Sequence, residues 1–281
     1  MGERAPDGKT LWISVDLEGV AGLIVERQMG LEGGAEFARA QRFMTDEANA
    51  AVRGGLAAGA ARALVNDAHG AGRNLIPEAL DARAELLQGA LKPLVMAEGV
   101  DAEGVCAGVL IGYHGRAGVQ AVLSHTWIDL VVDLRLNGAS TGEIGLVAAV
   151  AGEHGVPIAV LTGDDVACRE AAELLPGVRT VQTKRALNRG AAQLRHPAEV
   201  CEEIEATVRE ALAAGAARPH RLELPATVEV DWPTATLAEA CTMLHGIERA
   251  GVRTVAFEAA TATQALQTFD ALTRLVESVE G

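Results

Sequence analysis

Short apolar runs alternate with longer segments of helical period along this chain. Residues 11–16, LWISVD, are apolar apart from Ser14 and the closing Asp16, the pattern of a strand covered on both faces. In residues 36–58, Phe37, Ala40, Met44, Ala48 and Val52 recur at three- and four-residue spacing, which predicts a long amphipathic helix. Residues 62–66, 105–112 and 156–165 predict further buried strands, while 80–89 has no decisive period. Helices are predicted over 140–155, 167–175 and 197–217. Ser140 or Thr141 could cap the first of these, with Glu143 in its opening turn.

Two segments break the alternation. AVLSHTW and DLVVDLRLNG, within 120–138, read as neighbouring antiparallel strands, and Asn137-Gly138 is a tight-turn signal. Beyond the Pro-containing stretch 218–225, the order is strand (226–231), helix (236–250), strand (252–258) and helix (261–278). The whole pattern predicts an α/β fold, three-layer α/β/α with a mostly parallel sheet plus a smaller α+β portion. The expected organisation is a disordered extension over 1–9, a metal-binding α/β catalytic domain over 10–218 and a small α+β lobe over 219–281 packed on it.

Composition narrows the function classes. The chain has 281 residues, 49% of them hydrophobic, which suffices for a large core. Aromatic residues are only 3%, so Ala, Val and Leu must build most of it. A formal net charge of −14 with no basic block argues against nucleic acid as a partner. No stretch is long and apolar enough to span a membrane, and MGERAPDGKT lacks the apolar core of a secretion signal. Cys106, Cys168, Cys201 and Cys241 include no Cys-x-x-Cys pair, so thiolate metal binding is not expected. Scattered thiols fit a reducing compartment, and a cytoplasmic location is the expectation.

Candidate chemistry lies where apolar runs end. Asp16 and Glu18 close the first run in DLEG, His69 follows the second in NDAHG, and His114 follows the third in GYHG. Asp16 and Glu18 share a face by strand alternation, and two adjacent carboxylates repel unless a cation lies between them. Open α/β sheets bind ligands outside the carboxyl ends of their strands, so these runs could deliver both residue types to one rim. Carboxylate plus imidazole suits a hydrolytic metal, zinc first. Each residue also has a plainer reading. An Asp at a strand end can shape a turn, a lone His can be structural, and Glu143 can complement a helix N-terminus. His125, after AVLS, is open to roles as ligand, acid–base group or core residue. His154, His196, His220 and His245 read as surface or structural. The glycine-containing loops at 19–22 and 70–72 match neither a P-loop nor the dinucleotide fingerprint.

SVDLEGVAG (14–22), MTDEAN (44–49), LVNDAHG (64–70), GYHGRAG (112–118), LSHT (123–126), NGASTGEIG (137–145) and TGDD (162–165) occur in order. This set resembles the DppA-type D-aminopeptidases, zinc peptidases once labelled dipeptide transport proteins, from about residue 11 onward. The resemblance implies a metallopeptidase that binds two Zn2+ per chain. Asp16, Glu18 and His69 would hold one zinc, and Asp16, His114 and Glu143 the other, with Asp16 bridging. It further implies His125 as the catalytic residue, a short peptide with a free N-terminus as substrate, D-Ala-type peptides foremost, and assembly as a homodecamer. Two metals sharing a water lower its pKa and give hydroxide at working pH. The alternatives are a metal-dependent amidase of another small amide, or an inactive peptide-binding oligomer.

Overall fold

The computed structural model describes residues 8–280, so most of the expected N-terminal extension lies outside the described residues. The chain opens with β1 (Thr10–Val15), the long helix α1 (Ala35–Ala57) and β2 (Arg62–Asp67). Short β3 (Ala84–Leu87) precedes β4 (Val105–Tyr113) and the hairpin of β5 (Asp133–Leu136) and β6 (Ala139–Thr141). Next come α2 (Glu143–Glu153), β7 (Ile158–Asp164) and α3 (Asp165–Leu174). A second hairpin, β8 (Arg179–Asn188) and β9 (Ala191–Leu194), leads into α4 (Pro197–Ala214). The last portion is β10 (Ala226–Asp231), α5 (Ala235–Cys241), β11 (Glu248–Arg249), β12 (Thr254–Ala259) and α6 (Ala262–Glu280).

These strands form two sheets. The larger has the order β3-β2-β1-β4-β7-β8-β9, parallel throughout except for the antiparallel β8–β9 pair. Its inner strands alternate between two cores. Leu11, Ile13, Val15, Val109 and Ile111 face α1 and α4, while Trp12, Leu110 and Tyr113 face α2. The predicted three-layer α/β/α architecture is therefore the observed one. The second sheet, β11-β12-β10-β5-β6, is antiparallel, and β10 alternates buried and half-buried residues as a strand covered on one face should. Helices α2 and α6 pack against each other between the two sheets.

The structure departs from the sequence pattern in five places. Residues 121–127 form no strand beyond an isolated bridge between Thr126 and Ile128. The Asn137-Gly138 turn instead joins β5 to β6, and both belong to the smaller sheet rather than extending the larger. That sheet accordingly draws strands from both sides of residue 218. Ser140 and Thr141 lie in β6, and Gly142 occupies the N-cap of α2 without a side-chain bond. The helix expected over 236–250 ends at Cys241, before a turn and the short β11. The β8–β9 hairpin follows no clear alternation. A register shift between Gly163 and Asp164 of β7 leaves an extra residue in β8 and buries Thr183 and Lys184 side by side.

Candidate metal centre

The order of the larger sheet reverses direction at β1, which lies between β2 and β4. Ligand sites in open α/β sheets favour such points. Asp16 and Glu18 follow β1, His69 follows β2 and His114 follows β4, all at carboxyl ends. Leu17, between the two acids, turns the opposite way into the α1–α4 core. Gly19 lets the chain pass close to the end of β4 here. A Cβ on Gly19 would lie 2.0 Å from the Tyr113 carbonyl oxygen, and one on Gly112 would lie 2.3 Å from that of Asp16. The turns after β1 and β4 therefore touch backbone to backbone, which presses their acidic and imidazole side chains into one space.

The distances are short. His69 Nδ1 lies 3.3 Å from Asp16 Oδ1 and 3.1 Å from Glu18 Oε2. His114 Nε2 lies 3.5 Å from Asp16 Oδ2 and 3.2 Å from Glu143 Oε2. Glu143, the first residue of α2, also accepts the Trp127 N–H at 2.6 Å through its other oxygen. The His125 ring stacks on His114, with centroids 4.2 Å apart and planes 8° from parallel. Its Nδ1–H donates to the Leu123 carbonyl at 2.8 Å, which leaves Nε2 facing Glu18 and Glu143 at 3.8 and 3.9 Å. All six residues singled out in the sequence thus meet. His154 and His196 instead lie at helix ends, where His196 accepts the Ala198 N–H.

Asp16, Glu18, His114 and Glu143 are each at most 5% exposed. Burial, with the Glu18 and Glu143 charges, pushes the Asp16 carboxyl up to about 7 against the pull of His69 and His114. For Glu18 burial acts in the same direction, but His69, His114 and His125 outweigh it and hold the group well below the usual carboxylate range. Glu143 is lowered too, because His114 and His125 overcome its burial. Burial disfavours the charged imidazoles, yet Glu18 and Asp16 hold His69 well above its ordinary value, and Glu143, Glu18 and Asp16 do the same for His114.

This donor set fits a cation. His114 Nδ1–H donates to the Gly115 carbonyl, so the neutral ring turns its Nε2 lone pair toward two carboxylate oxygens. Three acceptors converge there, and only a proton or a cation can reconcile them. Asp16 Oδ2 is buried without a hydrogen-bond partner. Three combinations bring ligand atoms within 4.8 Å of one another: Asp16–Glu18–His69, Asp16–His114–Glu143 and Glu18–His114–His125.

Other residues here were not legible in the sequence. The cavity above the cluster, about 360 Å³, is closed on one side by Asp270, Thr273, Arg274 and Glu277 of α6. Trp127 Nε1–H donates to Asp270 at 3.0 Å, and Arg274 pairs with Asp270 at 2.8 Å. Asp164 of TGDD caps α3 through Oδ1 and accepts the Val122 N–H through Oδ2, fixing the loop that carries His125. Asn66 and Asp67 shape the β2 turn rather than orient His69. Asp67 accepts the N–H groups of Asn74 and Leu75, and Asn66 binds the carbonyls of Val95 and Met96. From the β8–β9 turn, Arg189 reaches Glu26 at 2.6 Å and Asp129 at 2.5 Å, in a neighbouring depression that shares His125, Trp127 and Glu277 with the cavity.

Residues 10–271 match the sequence model of peptidase family M55, described as D-aminopeptidase. A D-aminopeptidase of Bacillus subtilis (strain 168) is 33% identical over 267 residues, covering 94% of this chain and 97% of the relative. A solved structure, described as the Zn-dependent D-aminopeptidase DppA from Bacillus subtilis, a self-compartmentalizing protease, superposes with a TM-score of 0.91 at 32% identity. The match covers 95% of this chain and 98% of that one. The chain belongs to the D-aminopeptidase family of peptidases.

Proposed function

We propose that this chain is a zinc-dependent aminopeptidase that removes N-terminal residues from short peptides, D-Ala-type peptides foremost, at a two-zinc centre. In this reading Asp16, Glu18 and His69 hold one ion, Asp16, His114 and Glu143 hold the other, and Asp16 is shared. The observation that carries it is the posture of Asp16. Its two oxygens face two different imidazoles, 3.3 and 3.5 Å away, and the second is buried without a hydrogen bond. Bound zinc supplies Lewis acidity toward an amide carbonyl and toward water.

The remaining work falls to side chains. His125, its Nδ1 tied to Leu123, is free at Nε2 to pass a proton to the departing amine or to hydrogen-bond the tetrahedral oxyanion. Stacking on His114 fixes the ring plane, so Nε2 addresses one spot. Trp127, Ile128, Val95 and Met96 give the cavity an apolar wall that limits water. At its edge Arg274 offsets Asp270, and Glu277 leaves the entrance net negative, which favours a substrate bearing a free ammonium terminus. A volume of about 360 Å³ and the small side chains of Ala68, Ala71 and Ala90 suit a dipeptide-sized substrate with a methyl side chain.

Assembly as a homodecamer belongs to the same proposal. Leu31, Leu91, Met243 and Val252 are 77–90% exposed and supply apolar contacts for it. Four free thiols support a reducing, cytoplasmic setting. No helix among the described residues is long and apolar enough to cross a membrane. The test is metal analysis of protein purified without chelator, followed by hydrolysis of D-Ala-D-Ala, L-Ala-L-Ala and N-acetyl-D-Ala-D-Ala. About two zincs per chain, with turnover only of the uncapped D-peptide, is expected. Absence of metal even after adding zinc removes the reading, and equal rates on the capped peptide turn it into a general amidase.

A further inference from the structure

The turn that carries Glu18 has little secondary structure of its own. From residue 18 to 23 it runs beneath the metal cluster, and its peptide groups need partners from elsewhere. Three buried side chains supply them. Lys184 Nζ donates to the carbonyls of Glu18 at 2.6 Å, Val20 at 2.9 Å and Leu23 at 2.7 Å. Thr183 Oγ1–H lies between the carbonyls of Gly19 at 2.5 Å and Gly163 at 3.0 Å. Glu47 Oε1, from α1, accepts the Ala21 N–H at 2.7 Å.

Lys184 is unusual in this company. It is fully buried, one of the largest side chains in the interior with no exposure. A fully buried lysine is rare, because an ammonium taken out of water must find compensating bonds for its charge and its three N–H groups. Here every donor is used. An ammonium has three N–H bonds, and three carbonyl oxygens receive them. A planar guanidinium cannot aim its donors at one such converging set. The bulge in β8 is what turns Lys184 inward beside Thr183, since strict alternation would send one of the two out.

We propose that Lys184 is a positioning residue for the metal centre: its ammonium gathers the carbonyls of residues 18, 20 and 23 and so fixes where the Glu18 carboxylate stands relative to Asp16 and His69. The inference rests on the zinc reading above. Lys184 binds Glu18 through the backbone, one residue's width from the carboxylate, and touches neither substrate nor ion. Without it, three carbonyls lose their donor, and the turn relaxes toward water. Glu18 then no longer meets His69 at 3.1 Å, and the Asp16–Glu18–His69 combination opens. In the other combination, Asp16–His114–Glu143, His114 comes from β4 and Glu143 from α2, and Asp16 is tied to β4 by its own N–H on the Ile111 carbonyl, so it keeps its shape. The effect is therefore directed at one of the two ions.

The experiment is zinc titration of wild type, Lys184→Met and Lys184→Met/Glu47→Gln against a competing chelator. Glu47 is buried close enough for the Lys184 charge to favour its ionised form, so the double variant removes the carboxylate that the single one leaves uncompensated, and keeps a folded protein available if the single variant does not fold. Val208→Ala, a truncation in the α1–α4 core remote from the cluster, serves as the control for general destabilisation. We expect one zinc to bind as in wild type and the other to weaken about 10- to 100-fold, with kcat falling more than KM rises. Cobalt-loaded variants should show an altered visible spectrum for one ion, and V208A should show neither change. Two unchanged affinities and an unchanged cobalt spectrum in the folded variants overturn the inference. So does an equal weakening in V208A. A wild type that binds no metal overturns the zinc reading instead, and is visible in the same titration before any variant is compared.

Discussion

The turns after β1, β2 and β4 meet in one cluster and the hairpin β8–β9 lies against the first of them, yet turns and hairpin announce themselves very differently in the sequence. In the three turns, an acid or a histidine ends an apolar run beside glycine, and each such residue lies in the cluster. In the hairpin, Lys184 and Arg189 sit in TKRALNRG, which resembles any exposed polar strand. One of the two is fully buried against three carbonyls, and the other bridges Glu26 and Asp129 beside the cavity. Groups that can perform chemistry stand out by type. Groups that hold them in place are visible only through their partners.

That contrast can be broken or sharpened by experiment. The largest effect should come from Asp16→Ala. If Asp16 joins both halves of the cluster, the variant loses metal at both positions and has no measurable activity. Elemental analysis that finds wild-type zinc in it would refute the shared role. His125→Ala should instead keep its metal and lose about 10²- to 10⁴-fold in kcat. A variant with full kcat removes His125 from the reaction. Between turn and support lies Gly19. A methyl group there must displace the Tyr113 carbonyl, so Gly19→Ala should destabilise the fold by about 3 kcal/mol, measured by denaturant unfolding. A loss below about 0.5 kcal/mol would show that the two turns need not touch.

A smaller effect concerns pH. In the metal-free protein Asp16 is raised to about 7, so below that pH it holds a proton that zinc must displace. His69 and His114, held well above their ordinary values, release protons on binding too. Zinc affinity should therefore fall as pH drops, by about tenfold per pH unit for each displaced proton. Calorimetry in two buffers of different ionisation enthalpy counts those protons, and a count of zero contradicts the assignment. The smallest effect is expected at α6. Asp270→Ala removes the acceptor of the Trp127 indole and one negative charge from the wall, and should raise KM about fivefold with kcat retained. An unchanged KM would show that α6 takes no part in binding the substrate.

The sequence carried the parallel sheet because its inner strands are largely apolar runs, and it carried Asp16, Glu18, His69 and His114 because chemistry requires their types at strand ends, whereas Glu143 and His125 gained their roles only through the family resemblance. It misled where local pattern and tertiary setting disagree. AVLSHTW has strand composition, but the segment is drawn into an irregular loop with Leu123 and Trp127 at positive φ on either side of His125. Asp164, buried under that loop, accepts the Val122 N–H and holds the path. Likewise DLRLNG does form a hairpin, yet nothing local says which sheet it joins. Its pairing with β10 spans about ninety residues and depends on side chains far along the chain. The wall from α6 was hidden for a related reason. Asp270, Arg274 and Glu277 repeat at helical spacing with the charges of an ordinary solvated face.

Glu143 begins α2 directly after β6, a strand of the smaller sheet, whereas Asp16, Glu18, His69 and His114 all leave the larger one. On the zinc reading, an ion held by His114 and Glu143 is a cross-brace between two sheets that otherwise meet through packed helices. The last fastening of the molecule would then arrive from its surroundings after the chain has folded. Protein made when the ion is scarce would part more easily along that seam and be cut sooner by proteases. Metal supply would govern how long each copy survives as well as how fast it works.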